Sequence, residues 1–338
     1  MATTGSWLGK LAGAAGEAKA RAASEKAERL AAPSILRPNE ITGEYDASRL
    51  LMTTLGGEIR PLTHDDLAAF RRNVGTAQKR LKGGITARKV LDLSWADDRN
   101  RAQSQIRQAV PMSASNGRVR FVTSAGPDSK VSRHHVTVEF MSFGASVSAG
   151  SKTPLQAAGW LRKQPLKFDC DCERHTFWFR YISTIGGFNA GRAETGFPKI
   201  RNPGLSGVGC KHVLRVMAEV ESAGTVALFL SKVIARGREN DDGNAKVRQA
   251  QRDAEAQLAA NKRPREIKTT TDRQKAAAAA RERRALAQAV TANPSKPKKP
   301  TAATRRMAGG GMNKAQLALL AKMGLSEQQI AAINAAGK

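Results

Sequence analysis

Cys170-Asp171-Cys172 and Cys210-Lys211-His212 hold every cysteine of the 338-residue chain, with 37 residues between the two groups. Three thiolates and one imidazole are the donor set of a closed tetrahedral zinc site, so the expectation is one structural Zn2+ per chain. A C-x-C on an extended segment brings both sulfurs to one ion if the backbone turns between them. "GLSGVG" ahead of Cys210 is loose enough to fold back, and His212 falls in the first turn of a helix read from "KHVLRVMAEV". The positive end of that helix favours thiolate over thiol.

Other chemistry is open to the same residues. Buried cysteine is a small hydrophobe, yet Cys170 and Cys172 flank an aspartate and precede Glu173 and Arg174. A Cys170–Cys172 redox pair strains a disulfide at one-residue spacing. A Cys210–His212 nucleophile leaves the C-x-C without a role. His175, in a C-x-C-x-x-H arrangement, is the second candidate for the imidazole ligand, although it points into the strand expected to follow. "GLSGVGCK" has one residue too many between its last glycine and Lys211 for a phosphate-binding loop. No carboxylate pair or Ser/His/Asp arrangement stands out, so a non-enzymatic protein is expected.

Elements must position these ligands. Thr63 reads as the N-cap of a helix through Leu81, with acids in its first turn and Gly83-Gly84 as its stop. Ser94 reads as the cap of a second helix, from Trp95 to Val110, broken by Pro111. "GRVRFVTS" and "RHHVTVEFMSF" alternate as a β-hairpin, sending His134 and His135 to opposite faces. Thr153 and Pro154 open a short helix. In "RHTFWFRYIST" the alternation predicts a strand, with Phe177, Phe179 and Tyr181 on one face and Trp178 and Arg180 on the other. One face packs on the 211–222 helix; the other is core or a base-stacking platform. The fold class is α+β, a small zinc-stapled β-β-α unit on a mixed body with helical, low-complexity arms.

Composition divides the chain into an Ala-rich helical arm at 1–38, a body at 39–159, and the zinc unit with following helices at 160–236. A basic linker follows at 237–311, then a helical pair at 312–338 with a capping box at Ser326 and Gln329. The Met-Gly-Leu turn of that pair resembles the loop of ubiquitin-associated-type mini-domains over about 25 residues. Residues 245–306 carry 17 Lys and Arg against 5 Asp and Glu and almost no large apolar side chain, which predicts no core of their own. Net charge is +27, a field that attracts polyanions. Lys296, Lys298, Lys299, Arg305 and Arg306 are the candidate nucleic-acid or polyanion contacts. Three cysteines make no disulfide framework, so a reducing interior is the expected location. The first residues lack the apolar core of a secretion signal, and no apolar run nears the ~20 residues that span a bilayer.

The C-x-C, spacer and C-x-H opening a helix resemble the SWIM-type zinc finger, a β-β-α unit, over residues 160–222. The resemblance implies ligands at Cys170, Cys172, Cys210 and His212, a strand after the first pair, and binding of DNA or protein without catalysis. The departure is a long Gly- and Pro-rich spacer, read as an inserted loop. In overall texture, with Ala-rich arms and a Lys/Arg tail, the chain resembles bacteriophage virion structural proteins. The partners so implied are other subunits of an assembly, with DNA or RNA as the further candidates and no small-molecule substrate.

Overall fold

The computed structural model describes residues 23, 34–42, 45, 49–127, 129, 131–240, 245–250, 252–254, 256, 266–292 and 314–336. The Ala-rich arm up to residue 33 (apart from residue 23) and the five tail cations from Lys296 to Arg306 lie outside the described residues. Two compact units divide the chain, Met1–Arg273 and Gln274–Lys338. The expected α+β class holds. No described helix is long and apolar enough to cross a membrane.

The first unit is built on an antiparallel sheet of five strands. These are β3 (Ala109–Ser115), β4 (Arg118–Ser124), β5 (Arg133–Phe140), β6 (Leu166–Cys170) and β7 (Lys246–Arg248), in the order β6-β5-β4-β3-β7. A separate two-stranded ladder joins β1 (Met52–Thr53) to β2 (Arg60–Pro61). The expected hairpin is β4–β5. Its alternation places Val119, Phe121, Val136 and Val138 fully inside and leaves Arg118 and Arg120 on the outer face. The sheet takes strands from both sides of residue 160, so the segment bearing Cys170 is continuous with the body.

The α-helices ahead of Cys210 are α1 (Pro38–Ile41), α2 (His64–Leu81), α3 (Ala87–Leu93), α4 (Ala96–Gln105), α5 (Phe143–Ser148), α6 (Pro154–Leu161) and α7 (Arg180–Ile185). The next helix, α8 (Lys211–Ser222), fills the middle of the unit, with every residue in it from His212 to Val220 buried, and α9 (Gly224–Glu239) follows it. It packs on β3, β4, β5 and β6 on one side and on α3 and α4 on the other. A helix buried all round is a core helix, and its one buried cation is accommodated by polar partners. Arg215 is fully buried; its Nε donates to the Ile106 carbonyl at 2.8 Å and Nη2 to that of Ala102 at 2.9 Å. Its charge therefore rests on the C-terminal carbonyls of α4, where a helix favours a cation.

The helix from Thr63 forms as expected, as α2, with Thr63 and Asp66 in a reciprocal capping box and Gly83 and Gly84 at positive φ behind it. The Thr153-capped helix also forms, as α6. In the second unit Lys314–Lys322 and Glu327–Ala336 are joined through the Ser326–Gln329 box.

Four readings are corrected. The second helix ends at Gln105 and its N-cap is Trp95, while Ser94 donates back to the Val90 carbonyl and closes α3. Residues from Ala109 onward are strand β3, where Pro111 is tolerated beside a bulge that shifts the register. "HTFWF" is a π-helical turn, His175–Phe179, continuing into α7, not a strand. His175, Phe179 and Ile182 are its buried stripe at helical spacing, and Phe177 is 53% exposed. Finally, the start of the 245–306 stretch joins the core of the body: β7 pairs with β3, and Ala245 and Ala254 are fully buried. A capping box between Thr269 and Asp272 then starts the helix Thr270–Ala292, and within the first unit the Thr270 N–H donates to Asp92 at 2.7 Å.

The α2 cap generates a pH prediction. Arg60, through bonds of 2.7 Å to both oxygens, holds the Asp66 carboxyl down at about 2, against the desolvation of its burial. A depressed carboxyl contributes stability that is fully present above its unfolded value near 4. That contribution is lost as pH falls through about 2. Thermal melts from pH 7 down to 2 should show this loss in the wild type and a reduced slope in Asp66→Asn. Thr63→Ala should lower stability by about 1 kcal/mol in urea titration at pH 7.

Candidate metal centre

Cys170, Cys172, Cys210 and His212 are all buried, and their ligand atoms lie within 4.8 Å of one another. Bond lengths of 2.3 Å to sulfur and 2.0–2.1 Å to nitrogen give a tetrahedron with edges of about 3.6–3.8 Å. Small side-chain adjustments therefore suffice to hold one metal ion. His175, the second candidate, stays outside the cluster.

The ligands come from three places in the fold. Cys170 ends β6 and, facing Val136 of β5, turns its side chain to the core face of the sheet. Asp171 turns the chain. Cys172 then stands at the head of the helical run that begins at residue 173; it accepts through Sγ from the His175 N–H at 3.4 Å and through its carbonyl from Thr176 N–H at 3.1 Å. Cys210 is the N-cap of α8, and His212 lies in its first turn. Two helix N-termini thus converge on the sulfurs. Three thiolates around a divalent ion leave one net negative charge, which those partial positive charges favour.

The electrostatics of the metal-free cluster fit this donor set. Burial pushes the Cys170 and Cys210 thiols up, and hydrogen bonds from those two thiols hold Cys172 well down. Burial therefore opposes ionising all three sulfurs together unless a cation joins them. Burial pulls His212 down, keeping its imidazole neutral, the form that ligates a metal. Its Nδ1 lies 4.0 Å from Cys170 Sγ, and its Nε2 is buried without a hydrogen-bond partner.

Around the ligands is a shell that sequence reading missed. His134 and His135 do not part to opposite environments; Asp171 gathers both, with Oδ1 3.0 Å from Nδ1 of His134 and Oδ2 3.1 Å from Nδ1 of His135. The His134 ring lies against His212 at 4.2 Å between centroids. The β5–β6 register causes this, because Val136 opposite Cys170 sets the two histidines beside the turn. Behind Cys172, Arg174 forks onto fully buried Asp98 (2.6 and 2.9 Å) and lies 4.3 Å above the Trp178 ring. Asp169 accepts from Arg180 Nε at 3.0 Å and lies 3.3 Å from Nε2 of fully buried His175.

The 37-residue spacer is a packed part of the unit. Phe188, Phe197, Leu205 and Val208 are buried in it. Asn202 donates to the carbonyls of Trp178 and Ser206 and so closes the loop before Cys210. Gly207 has φ +68°, and a Cβ there would meet Phe179 and Trp95 at 3.1–3.2 Å. This glycine serves the return of the chain to Cys210 rather than a phosphate.

No family model matches the chain, and neither a curated protein nor a solved structure matches it.

Purified protein should contain one zinc per chain by elemental analysis; substoichiometric metal with three freely titrating thiols would overturn the assignment. Cys210→Ser should unfold the first unit, because structural zinc contributes ~10–16 kcal/mol against ~5–15 kcal/mol of net domain stability. Acid should release the metal as thiolates and imidazole protonate, with helix loss by circular dichroism tracking zinc release detected by a chromogenic chelator.

Proposed function

We propose that this chain is a non-enzymatic structural protein of a large assembly, its body stapled by one Zn2+. A bacteriophage virion is the assembly its texture fits best, and its basic segments bind neighbouring subunits or nucleic acid. The observation that carries the reading is the closed Cys3His cluster: four buried protein donors leave no open position for water or substrate, as in structural rather than catalytic zinc sites. Free cysteines in a buried cluster are consistent with assembly in a reducing interior.

The SWIM likeness supports the ligand order and the helix opening at Cys210. It is weakened by the π-helical turn where that family has a strand. A second reading, sequence-nonspecific binding of DNA or RNA, is favoured by the net charge of +27. Phosphate contacts position a protein without carrying sequence information.

Sedimentation separates the two. The first reading expects the protein to travel with a multi-component particle from its native source; the second expects a free monomer that shifts unrelated DNA sequences equally at physiological salt. In the second case, neutralising Lys296, Lys298, Lys299, Arg305 and Arg306 should flatten the salt dependence by about 0.9 for each phosphate that is no longer neutralised. A hundredfold preference for one sequence would defeat both.

A further inference from the structure

The outer face of the five-stranded sheet carries a cleft of about 470 Å³ whose lining includes Ser113, Ser115, Arg118, Arg120, Lys246 and Arg248. Strand register arranges these side chains in two rows. Ser113 of β3 lies between Arg248 of β7 and Arg120 of β4, and Ser115 lies between Lys246 and Arg118. Alternation along each strand turns both rows the same way, with about 6.8 Å between rows and about 9.6 Å between the two cations of a row. Each row is therefore a pair of cations around one hydroxyl.

Like charges placed this close repel, and a fold gains nothing from grouping them unless an anion joins them. Acidic neighbours are few. Glu139 is 3.5 Å from Arg118, which also donates to the Ala190 carbonyl, and Asp169 on the Arg120 row is taken up by Arg180. Among the described residues, Arg120, Lys246 and Arg248 make no ion pair or side-chain hydrogen bond. Guarding a sheet edge accounts for Lys246 and Arg248, since β7 is the edge strand. It does not account for Arg118 and Arg120, which lie on the middle strand.

We propose that this face is a docking site for the phosphate backbone of a nucleic acid, separate from the zinc centre and from the tail cations. Two successive phosphates sit one per row, each between two cations and over a serine hydroxyl, the donor types that contact phosphate oxygens. Lysine supplies a point charge and arginine a planar fork. No aromatic side chain lines the cleft, so bases have no stacking platform here and binding is to the backbone, without sequence preference.

The test uses the full zinc-loaded chain with fluorescent duplex DNA and single-stranded RNA over a salt series. Arg120→Ser, Lys246→Ser and Arg248→Ser combined empty one row and leave Arg118 alone in the other, so they should flatten the log-affinity against log-salt slope on duplex by about 0.9–1.8 and weaken binding by tenfold or more near 0.15 M salt. A control of equal charge change on α2 and its C-terminal flank, Arg72→Ser, Lys79→Ser and Lys82→Ser, should leave the slope within about half a unit. Bound DNA should also protect Lys246 from acetylation, read by mass spectrometry. Unchanged zinc content and melting temperature establish that each variant is folded. Equal losses in both variants would reduce the effect to net charge and overturn the site. So would an unaffected cleft variant, an unprotected Lys246, or wild-type binding to anionic vesicles with none to DNA or RNA. None of these results bears on the zinc staple, which stands or falls on metal content.

Discussion

The end of strand β6 and the start of helix α8 bring buried ligand atoms within 4.8 Å of one another, and the first unit is organised around that contact. Cys170 belongs to the sheet; Cys210 and His212 belong to the helix buried in its middle; Cys172 heads the helical run that covers the other side. A metal bound there ties elements that are separated by 37 residues of sequence. It also resolves a conflict of charge. Burial raises the Cys170 and Cys210 thiols, and a cation lets all three sulfurs act as anions in a place where water cannot.

The same constraint governs the charged side chains built into the interior. Asp98 and Arg215 are fully buried. Asp98 is neutralised by the Arg174 fork, and Arg215 rests on carbonyls at the end of α4. Both interactions bear on α4, one at its first turn and one at its last. They fix that helix against the Cys172 and Cys210 sides of the metal centre. Removing one partner of such a pair costs about 3–5 kcal/mol, because the other charge stays buried. The interior is thus secured by specific polar contacts as much as by apolar volume, which suits a chain with only 5% aromatic residues.

Charge on the outside follows a different logic. The four cations of the sheet cleft are set by strand register into rows. Strand pairing holds these rows at a fixed spacing, so an anion that meets them finds its contacts already ordered.

Local signals in the sequence determined a good deal: the Thr63 and Thr153 caps, the β4–β5 alternation, the helix after Cys210, and the donor set itself. All but the last depend on neighbours within a few residues, and the donor set consists of two short motifs, C-x-C and C-x-H, recognised by residue type. Tertiary structure decided the rest. "HTFWF" has the alternation of a strand, yet it is helical because His175, Phe179 and Ile182 find the core on one stripe. The spacer reads as an insertion, yet it is buried because Phe188 and Phe197 pack against elements more than a dozen residues away. His134 and His135 read as residues on opposite faces of a strand, but the β5–β6 register brings Asp171 to both. Strand pairing over long separations is not written in local periodicity. For that reason the ligands could be named from sequence, while the shell that orients them and the cationic rows on the sheet could not.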